Sequence, residues 1–559
     1  MYDNYYIADQ FSLLAKLMDI HGDNTFKSRS YSNAAYQINQ LHIQLDTLTP
    51  AAINALKGIG DAIGKKIQEQ LQTGILPLLQ EYLDKTPAGI IEMLSIKGLG
   101  PKKIATIWKE LEIETLGELL YACHENRLTL YKGFGEKTQQ NIREAIEFYL
   151  QHQGQFLFAE LEPWANLFLQ QWNTAFPDQT TLTTGALCRQ METLPHLEYV
   201  TTVDTMQAQA QLIDWQFSID TIEADLLKVT SREGIQLYLY HTTPTQIYRQ
   251  QFERSAADPF LQEWNQTIGW KENETYDSET AIFSKAGVHP IPAYRRESAA
   301  IIHSARAKAL PSSIVTEDIR GIIHCHSQWS DGSDTLETMA KAACNMGLEY
   351  LVISDHSRSA FYANGLQADR VMAQHREIEK LNIALAPFTI FKSIESDVLS
   401  DGALDYPAEV LAQFDLIIAS IHSNLKMPQE KAMHRLLTAV ANPFTSILGH
   451  PTGRLLLSRS GYPVDHERLL HACAEHKVVI ELNAHPRRLD LDWRWIEKAQ
   501  ELGVLISINP DAHNIAGLKD IRYGVLVAQK AGLPASGNLS SRSLSDMRNF
   551  IAEQQKKRP

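Results

Sequence analysis

From residue 321 onward the chain alternates short, wholly apolar runs with longer amphipathic stretches. Seven runs, about thirty residues apart, read Gly321-Ile-Ile-His-Cys-His326, Tyr350-Leu-Val-Ile-Ser-Asp-His356, Ile390-Phe-Lys-Ser-Ile-Glu395, Leu416-Ile-Ile-Ala-Ser-Ile-His422, Ser446-Ile-Leu-Gly-His450, Val478-Val-Ile-Glu-Leu-Asn483 and Leu505-Ile-Ser-Ile-Asn-Pro-Asp-Ala-His513. Such runs predict strands buried on both faces, and the helical patterns between them (335–346 and 463–476 among them) predict crossover helices. The architecture expected is an α/β barrel, whose strands all end at one face. In six of the seven runs the polar residues closing the run are metal-ligand types.

Ahead of this region the period changes. Apolar positions recur at helical spacing over 7–18, 53–71, 90–110 and 115–149, so residues 1–150 are expected to be mostly helical. Within them one pattern repeats every 35–40 residues: Leu56-Lys-Gly-Ile-Gly60, Ile96-Lys-Gly-Leu-Gly100 and Tyr131-Lys-Gly-Phe-Gly135. Two glycines around an apolar residue permit a tight hairpin between helices. The helix that follows then offers free N–H groups and a positive dipole end to a phosphate. Gly58, Gly60, Gly98, Gly100, Gly133 and Gly135 are therefore candidate DNA-backbone contacts, with Lys65, Lys66, Lys102, Lys103 and Lys137 adding charge. A helical bundle with glycine turns is the plainer alternative. Residues 151–300 mix helix and strand, with strand-like runs at 197–203 and 235–241, and 301–317 reads as a linker.

Composition adds limits. With 559 residues, 44% hydrophobic and 21% charged, the chain is expected to form several globular domains. A net charge of −14 argues against a broadly basic nucleic-acid coat but not against local phosphate contacts. Five scattered cysteines give neither a disulfide framework nor a zinc knuckle. No secretory leader or membrane span is readable, and a cytoplasmic location is expected.

The chemistry concentrates at the strand ends. Twelve of the 20 histidines lie beyond residue 320, and six of those twelve close a predicted strand. Strand alternation would put His324 and His326 on one face. With Asp331, His356, Glu395, His422, His450, Asp511 and His513 they make nine candidate ligands of mixed nitrogen and oxygen type. Such a set suits Mn²⁺, Zn²⁺ or Fe²⁺ better than an all-oxygen Mg²⁺ site, and roughly two to three ions could be held. Arg454 is a candidate phosphate contact, with Arg487 and Arg488 as weaker ones.

These motifs resemble known families. His-x-His-Ser-x-x-Ser-Asp-Gly, Asp-His, Glu, Ser-x-His-Ser, Gly-His-Pro-Thr-Gly-Arg and Asp-Ala-His stand in the order of the PHP (polymerase and histidinol phosphatase) superfamily. The resemblance implies a distorted (β/α)7 barrel. One metal would sit on His324, His326, Glu395 and Asp511, a second on Glu395, His422 and His450, and a third on Asp331, His356 and His513. The segment Asp23-Asn-Thr-Phe-Lys-Ser-Arg-Ser-Tyr31 and the first hairpin resemble the start of bacterial family X DNA polymerases (PolX). In animal relatives the position matching Lys66 is a lyase nucleophile. A neighbouring lysine of that pattern is Ala62 here, so Lys66 is expected to contact phosphate instead.

Residues 185–198, Gly-Ala-Leu-Cys-Arg-Gln-Met-Glu-Thr-Leu-Pro-His-Leu-Glu, resemble the nucleotidyltransferase signature Gly-Ser-x-Arg-Arg…Gly-Asp-x-Asp. The two aspartates fall at His196 and Glu198, and the third carboxylate position at Tyr238. Two-metal phosphoryl transfer needs those carboxylates, so polymerase activity is expected to be lost. The resemblance implies a multidomain α/β protein: helix-hairpin-helix region 1–150, degenerate nucleotidyltransferase module 151–300, linker 301–317 and PHP phosphoesterase 318–559. The function it implies is a 3′–5′ exonuclease in DNA repair, with AP-endonuclease or 3′-phosphatase activity as further options. The DNA partner would be bound through its backbone, without sequence preference. A histidinol-phosphatase-type enzyme and a non-catalytic DNA-binding scaffold remain the alternatives.

Overall fold

The computed structural model describes residues 4–41, 43–124, 127–271, 274–308 and 310–559. The chain divides into two compact units, Met1–Gln153 and Gly154–Pro559.

The smaller unit is helical. Ile7, Phe11, Leu14 and Met18 line one face of the helix Asn4–His21, which packs on the helix Thr25–Asn39. Asn24 caps that second helix by accepting the Phe26 and Lys27 N–H groups. The three glycine repeats share one geometry. A turn bond closes each hairpin, from Ile59 N–H to the Leu56 carbonyl, Leu99 to Ile96 and Phe134 to Tyr131. Gly58, Gly98 and Gly133 sit at φ +80°, +90° and +95°, where a side chain is disfavoured. Gly60, Gly100 and Gly135 are the N-caps of α1 (Asp61–Thr73), α2 (Pro101–Lys109) and α3 (Glu136–His152). Ile59, Leu99 and Phe134 are buried. The helical spacing over 53–71, 90–110 and 115–149 is interrupted at these hairpins. The hairpin buries its middle residue, so the apolar period runs on while the backbone turns.

The larger unit holds two main sheets and a two-stranded ribbon that pairs 156–157 with 193–194. Five strands, β1 (Thr181–Thr184), β2 (Leu197–Thr201), β3 (Ser218–Ile222), β4 (Leu226–Thr230) and β5 (Gln236–His241), run in the order β1-β2-β5-β4-β3. Only the β2/β5 pair is parallel. Seven parallel strands follow: β6 (Gly321–Cys325), β7 (Tyr350–Ile353), β8 (Thr389–Asp397), β9 (Leu416–Ser420), β10 (Ile447–Leu448), β11 (Val479–Asn483) and β12 (Ile506–Asn509). They lie in sequence order, and a single parallel bridge between Cys325 and Ala512 brings the two edges together into a nearly closed (β/α)7 barrel. Each strand coincides with one of the seven apolar runs.

Alternation sorts the barrel residues. Ile322, Cys325, Ile394, Ile417, Ile480 and Ile508 pack outward against the surrounding helices. Ile323, Val352, Phe391, Leu416, Ile447 and Val479 form an inner cluster with Met547 and Ile551 of the C-terminal helix Leu544–Gln555. That helix plugs the N-terminal mouth, and the Tyr350 hydroxyl beneath it bonds the Arg542 carbonyl at 3.1 Å. Toward the other mouth the inner positions turn polar: Ser393 and Glu395, Ser420, Glu481 and Asn483, Ser507 and Asn509. No helix among the described residues is long and apolar enough to cross a membrane.

Met547 is wholly buried in the plug. Met547→Ala should destabilise the larger unit by about 2–5 kcal/mol through lost burial and a residual cavity. The measurement is the urea midpoint of its unfolding transition, and an unchanged midpoint would show that the helix does not seal the barrel.

Candidate functional site

All nine sequence-derived ligand candidates converge at the C-terminal mouth of the barrel. Glu395, near the end of β8, is their centre. Its Oε1 lies 3.0 Å from His450 Nε2, 3.1 Å from His422 Nε2 and 3.2 Å from His324 Nε2. Its Oε2 lies 3.0 Å from His356 Nδ1 and 3.6 Å from His326 Nε2. Asp511 Oδ1 is 3.1 Å from His326 Nε2 and 3.6 Å from His324 Nε2. Asp331 Oδ2 is 3.5 Å from His513 Nε2 and 3.6 Å from His356 Nε2. Donors bound at about 2.0–2.2 Å to a shared ion would stand roughly this far apart. Three groupings could each hold a metal ion: His324, His326 and Asp511; His356, Glu395 and His422; His326, Asp331, His356 and His513. His326 and His356 thus bridge clusters that the sequence reading kept separate.

The backbone reaches this arrangement differently from simple strand alternation. The register of β6 on β7 shifts between Ile323 and Cys325, and His324 sits in the bulge at φ +61°. Cys325 can therefore pack outward while His324 points in, and His326 follows beyond the strand's last residue. Asp511 is likewise left-handed, at φ +53°. Gly332 lets the Asp331 loop fold back, since a Cβ there would stand 2.7 Å from the His326 carbonyl.

A second layer of acids holds these ligands, and it was not read from the sequence. Glu481 Oε2 accepts from His324 Nδ1 at 2.6 Å, and Glu481 also takes bonds from Asn483, Asn509 and the His450 N–H. Asp397 Oδ1 lies 2.5 Å from His422 Nδ1. Asp355 gathers Ser327, Ser330 and Gln374, fixing the loop that carries Asp331. The signals were present: Asp397 follows Glu395 on the same strand face, and Glu481 is an acid inside an apolar run.

Burial opposes ionisation of Glu395 and Asp511, yet the imidazoles around them hold both carboxyls well below the usual range. Burial also opposes charge on His422, but Glu395 and Asp397 push it up to about 10. Buried His356, facing other imidazoles, falls to about 4. His324 Nε2, His326 Nδ1 and Glu395 Oε2 are buried and make no hydrogen bond among the described residues. Lone pairs of this kind, aimed at common points, fit divalent ions. Asp331 and His513 are 29% and 38% exposed, which makes their side the open one.

Comparison with known proteins agrees with this geometry. A helix-hairpin-helix domain matches residues 3–76, a SAM-like helix-hairpin-helix tandem residues 90–147 and a PHP domain residues 323–485. The DNA polymerase/3′-5′ exonuclease PolX of Bacillus subtilis (strain 168) is 32% identical over 567 residues, 96% of this chain and 97% of its own. The chain belongs to the PolX family. Two probable phosphatases align with a smaller part of it. That of Caldanaerobacter subterraneus subsp. tengcongensis is 24% identical over 235 residues, 40% of this chain and 87% of its own. That of Caldicellulosiruptor saccharolyticus is 26% identical over 200 residues, 34% and 78% respectively. A PHP domain in a PolX chain makes this protein a metal-dependent phosphoesterase by class.

The other motifs of this PolX chain fall as follows. His196, Glu198 and Tyr238 do meet, on the β2/β5 pair, with Glu198 opposite Tyr238. The His196 and Tyr238 rings stack at 3.9 Å, and Glu198 takes a 3.3 Å bond from the Tyr240 hydroxyl. Among the described residues, every grouping able to hold a metal lies in the barrel.

Arg454 is corrected. Its guanidinium is spent on the Arg488 and Leu489 carbonyls, on Asp492 at 3.0 Å and on Glu192 at 2.5 Å. Four of its five N–H donors are thus engaged within the protein. Arg488 instead approaches the cage, 3.6 Å from Asp511 Oδ2, while exposed Arg487 pairs with Glu160.

The hairpin glycines and lysines lie at the surface of the smaller unit, apart from half-buried Lys66 and Lys103. Lys103 Nζ bonds the Gly98 carbonyl at 3.0 Å and so steadies its own hairpin. The first turns of α1 and α3 carry Asp61 and Glu136, whereas that of α2 carries no acid.

Glu481→Gln keeps the shape but loses the charge behind His324. It should weaken Mn²⁺ binding about 10–100-fold. Equilibrium dialysis with metal analysis decides, and wild-type affinity in this variant would remove Glu481 from the support of the site.

Proposed function

We propose that this PolX-family chain is a DNA 3′–5′ exonuclease acting in repair, that its barrel is the active centre and that its polymerase activity is lost. One contrast carries the reading: eight further donors gather with Glu395 in the barrel, while the nucleotidyltransferase-like sheet offers Glu198 beside a stacked His196–Tyr238 pair. His324, His326, Glu395 and Asp511 would hold one ion, Glu395, His422 and His450 a second, and Asp331, His356 and His513 a third. Mn²⁺ or Zn²⁺ suits the donors best. Ions bound there supply Lewis acidity, polarising a phosphate oxygen and activating water.

The chain's own groups do the rest. Glu481 and Asp397 fix the imidazoles of His324 and His422 through their Nδ1 atoms. The Asp355 network keeps Asp331 at the open side, where a phosphodiester would enter. The hairpins would hold the duplex by its backbone, α2 most strongly, because an acid in the first turn of α1 and α3 repels phosphate. AP-site cleavage and 3′-phosphate removal would use the same centre.

With Mn²⁺ and end-labelled 3′-recessed DNA, wild type should shorten the strand from its 3′ end. The His324→Ala/His326→Ala variant should lose at least about 10³-fold in rate, as expected when metal catalysis is removed, and still bind DNA. Shortening by that variant would refute the site. Turnover of small phosphate monoesters without DNA cleavage would favour a small-molecule phosphatase. Lys102→Glu/Lys103→Glu should weaken DNA binding more than Lys65→Glu/Lys66→Glu, and lower its salt dependence. Extension of a primed template with dNTPs would overturn the loss of polymerase activity.

A further inference from the structure

Arg454 and Glu192 join two parts of the larger unit that the proposed reaction does not by itself require to touch. Glu192 belongs to the segment resembling a nucleotidyltransferase signature, and Arg454 follows the candidate ligand His450 in the barrel. We infer that Glu192 is a positioning residue for the barrel centre: it holds Arg454, Arg454 holds the backbone at Arg488, and Arg488 is the arm that takes the substrate phosphate. The inference rests on the reading of the barrel as a phosphoester hydrolase.

The chain of contacts is continuous. Arg454 Nε donates to the Arg488 carbonyl at 3.0 Å, and Nη2 donates to the Leu489 carbonyl. Those carbonyls belong to the loop after β11, which leads from the cage back to the barrel surface. Thr452 N–H bonds Asp490 at 3.0 Å, and Leu456 N–H bonds the Arg487 carbonyl at 2.7 Å, so the Arg454 segment and this loop form one body. The Arg488 side chain leaves that body toward Asp511. It makes no side-chain hydrogen bond among the described residues, and its 3.6 Å pairing with Asp511 is long. A planar guanidinium in that state has donors to spare for a phosphate oxygen.

Glu192 closes the other end. Its carboxylate meets Arg454 Nη2 at 2.5 Å, and both side chains are largely buried. Its own backbone is fixed, since its carbonyl accepts the Phe158 N–H and the next residues pair with Phe156 and Leu157 in a two-stranded ribbon. A neighbouring cluster pins the same module: Arg189 makes two 2.8 Å bonds to Glu297, and buried Lys530 from the barrel reaches Glu297 at 2.6 Å and the Arg189 carbonyl at 2.8 Å. Removing the Glu192 charge leaves a buried guanidinium without one of its counter-charges. It then turns toward Asp492 and lets go of the carbonyls that set Arg488.

The test uses the full-length chain loaded with Mn²⁺, and compares wild type, Glu192→Gln, Glu192→Asp, Arg488→Ala and Glu192→Gln/Arg488→Ala. The readouts are KM on 3′-recessed DNA, binding of inorganic phosphate by calorimetry, and hydrogen exchange of the metal-free protein. Arg488→Ala should weaken phosphate binding about tenfold or more, the worth of a charge-assisted bond, with Mn²⁺ content unchanged. Glu192→Gln should raise KM and weaken phosphate binding in the same direction, with Glu192→Asp closer to wild type. The double variant should be no worse than Arg488→Ala alone. Exchange should quicken over 485–492 in Glu192→Gln and stay unchanged over 325–334. Independent, multiplying effects of the two substitutions would overturn the coupling, as would a Glu192→Gln that only melts earlier. Wild type that neither cleaves DNA nor binds phosphate would overturn the hydrolase reading and with it the role of Arg488. The exchange result would then still report whether Glu192 controls the loop.

Discussion

A buried carboxylate among five imidazoles is the constraint on which the larger unit is built. Glu395 is 1% exposed, and His324, His326, His356, His422 and His450 all stand within 3.6 Å of it. A lone ion in such a place would cost far more than a fold can spare. The barrel meets the constraint by changing character along its axis: apolar and plugged at one mouth, hydrogen-bonded and acidic at the other. Glu481 and Asp397, behind the imidazoles of His324 and His422, follow from the same need. Each imidazole that turns one nitrogen toward the centre needs a partner for the other, and an acid there makes the inward nitrogen a better donor to a cation.

The two main sheets of the larger unit differ in how their polar positions are arranged. In the barrel, acids and imidazoles are interleaved, so repulsion among carboxylates is offset locally. On the β2/β5 pair an imidazole and a phenol, His196 and Tyr238, stack on each other beside Glu198. The sheet keeps its core of Leu197, Tyr199, Leu237 and Leu239 regardless, because that core never depended on the site. The same module packs on the barrel through charged contacts at Glu192, Arg189 and Glu297.

Much of this was legible in the chain. The seven barrel strands declared themselves because both faces are buried, which leaves uninterrupted apolar runs. The nine ligand candidates were readable because each sits at or beyond the end of such a run. What the sequence concealed was tertiary. Arg454 looks like a phosphate arm by its place after His450-Pro-Thr-Gly, and only the fold shows Glu192, far away in sequence, occupying it. The helix breaks at Gly58, Gly98 and Gly133 were marked by the motif but hidden from the period, since Ile59, Leu99 and Phe134 keep the apolar rhythm through the turn. His324 and His326 were expected together by alternation, and they do come together, but through a bulge that periodicity cannot encode.

That bulge connects strain with closure. β6 and β12 are the two edges of the seven-stranded sheet, and no regular ladder joins them. Among the described residues the seam is held by the Cys325–Ala512 bridge and by the 2.8 Å bond from His326 N–H to the Ala512 carbonyl. The two left-handed ligands, His324 and Asp511, lie on opposite sides of this seam, at a backbone cost of about 1–2 kcal/mol each. Without the left-handed turn at 324, strand alternation would send that side chain outward with Ile322, into the helix layer. The strain thus converts an open edge into a place where donors from the first and last strands face each other across a gap of hydrogen-bond length. A cation coordinated by His324, His326 and Asp511 would tie the two edges at the point where the backbone ladder is weakest. Barrel closure and ligand geometry are, on this argument, one structural solution.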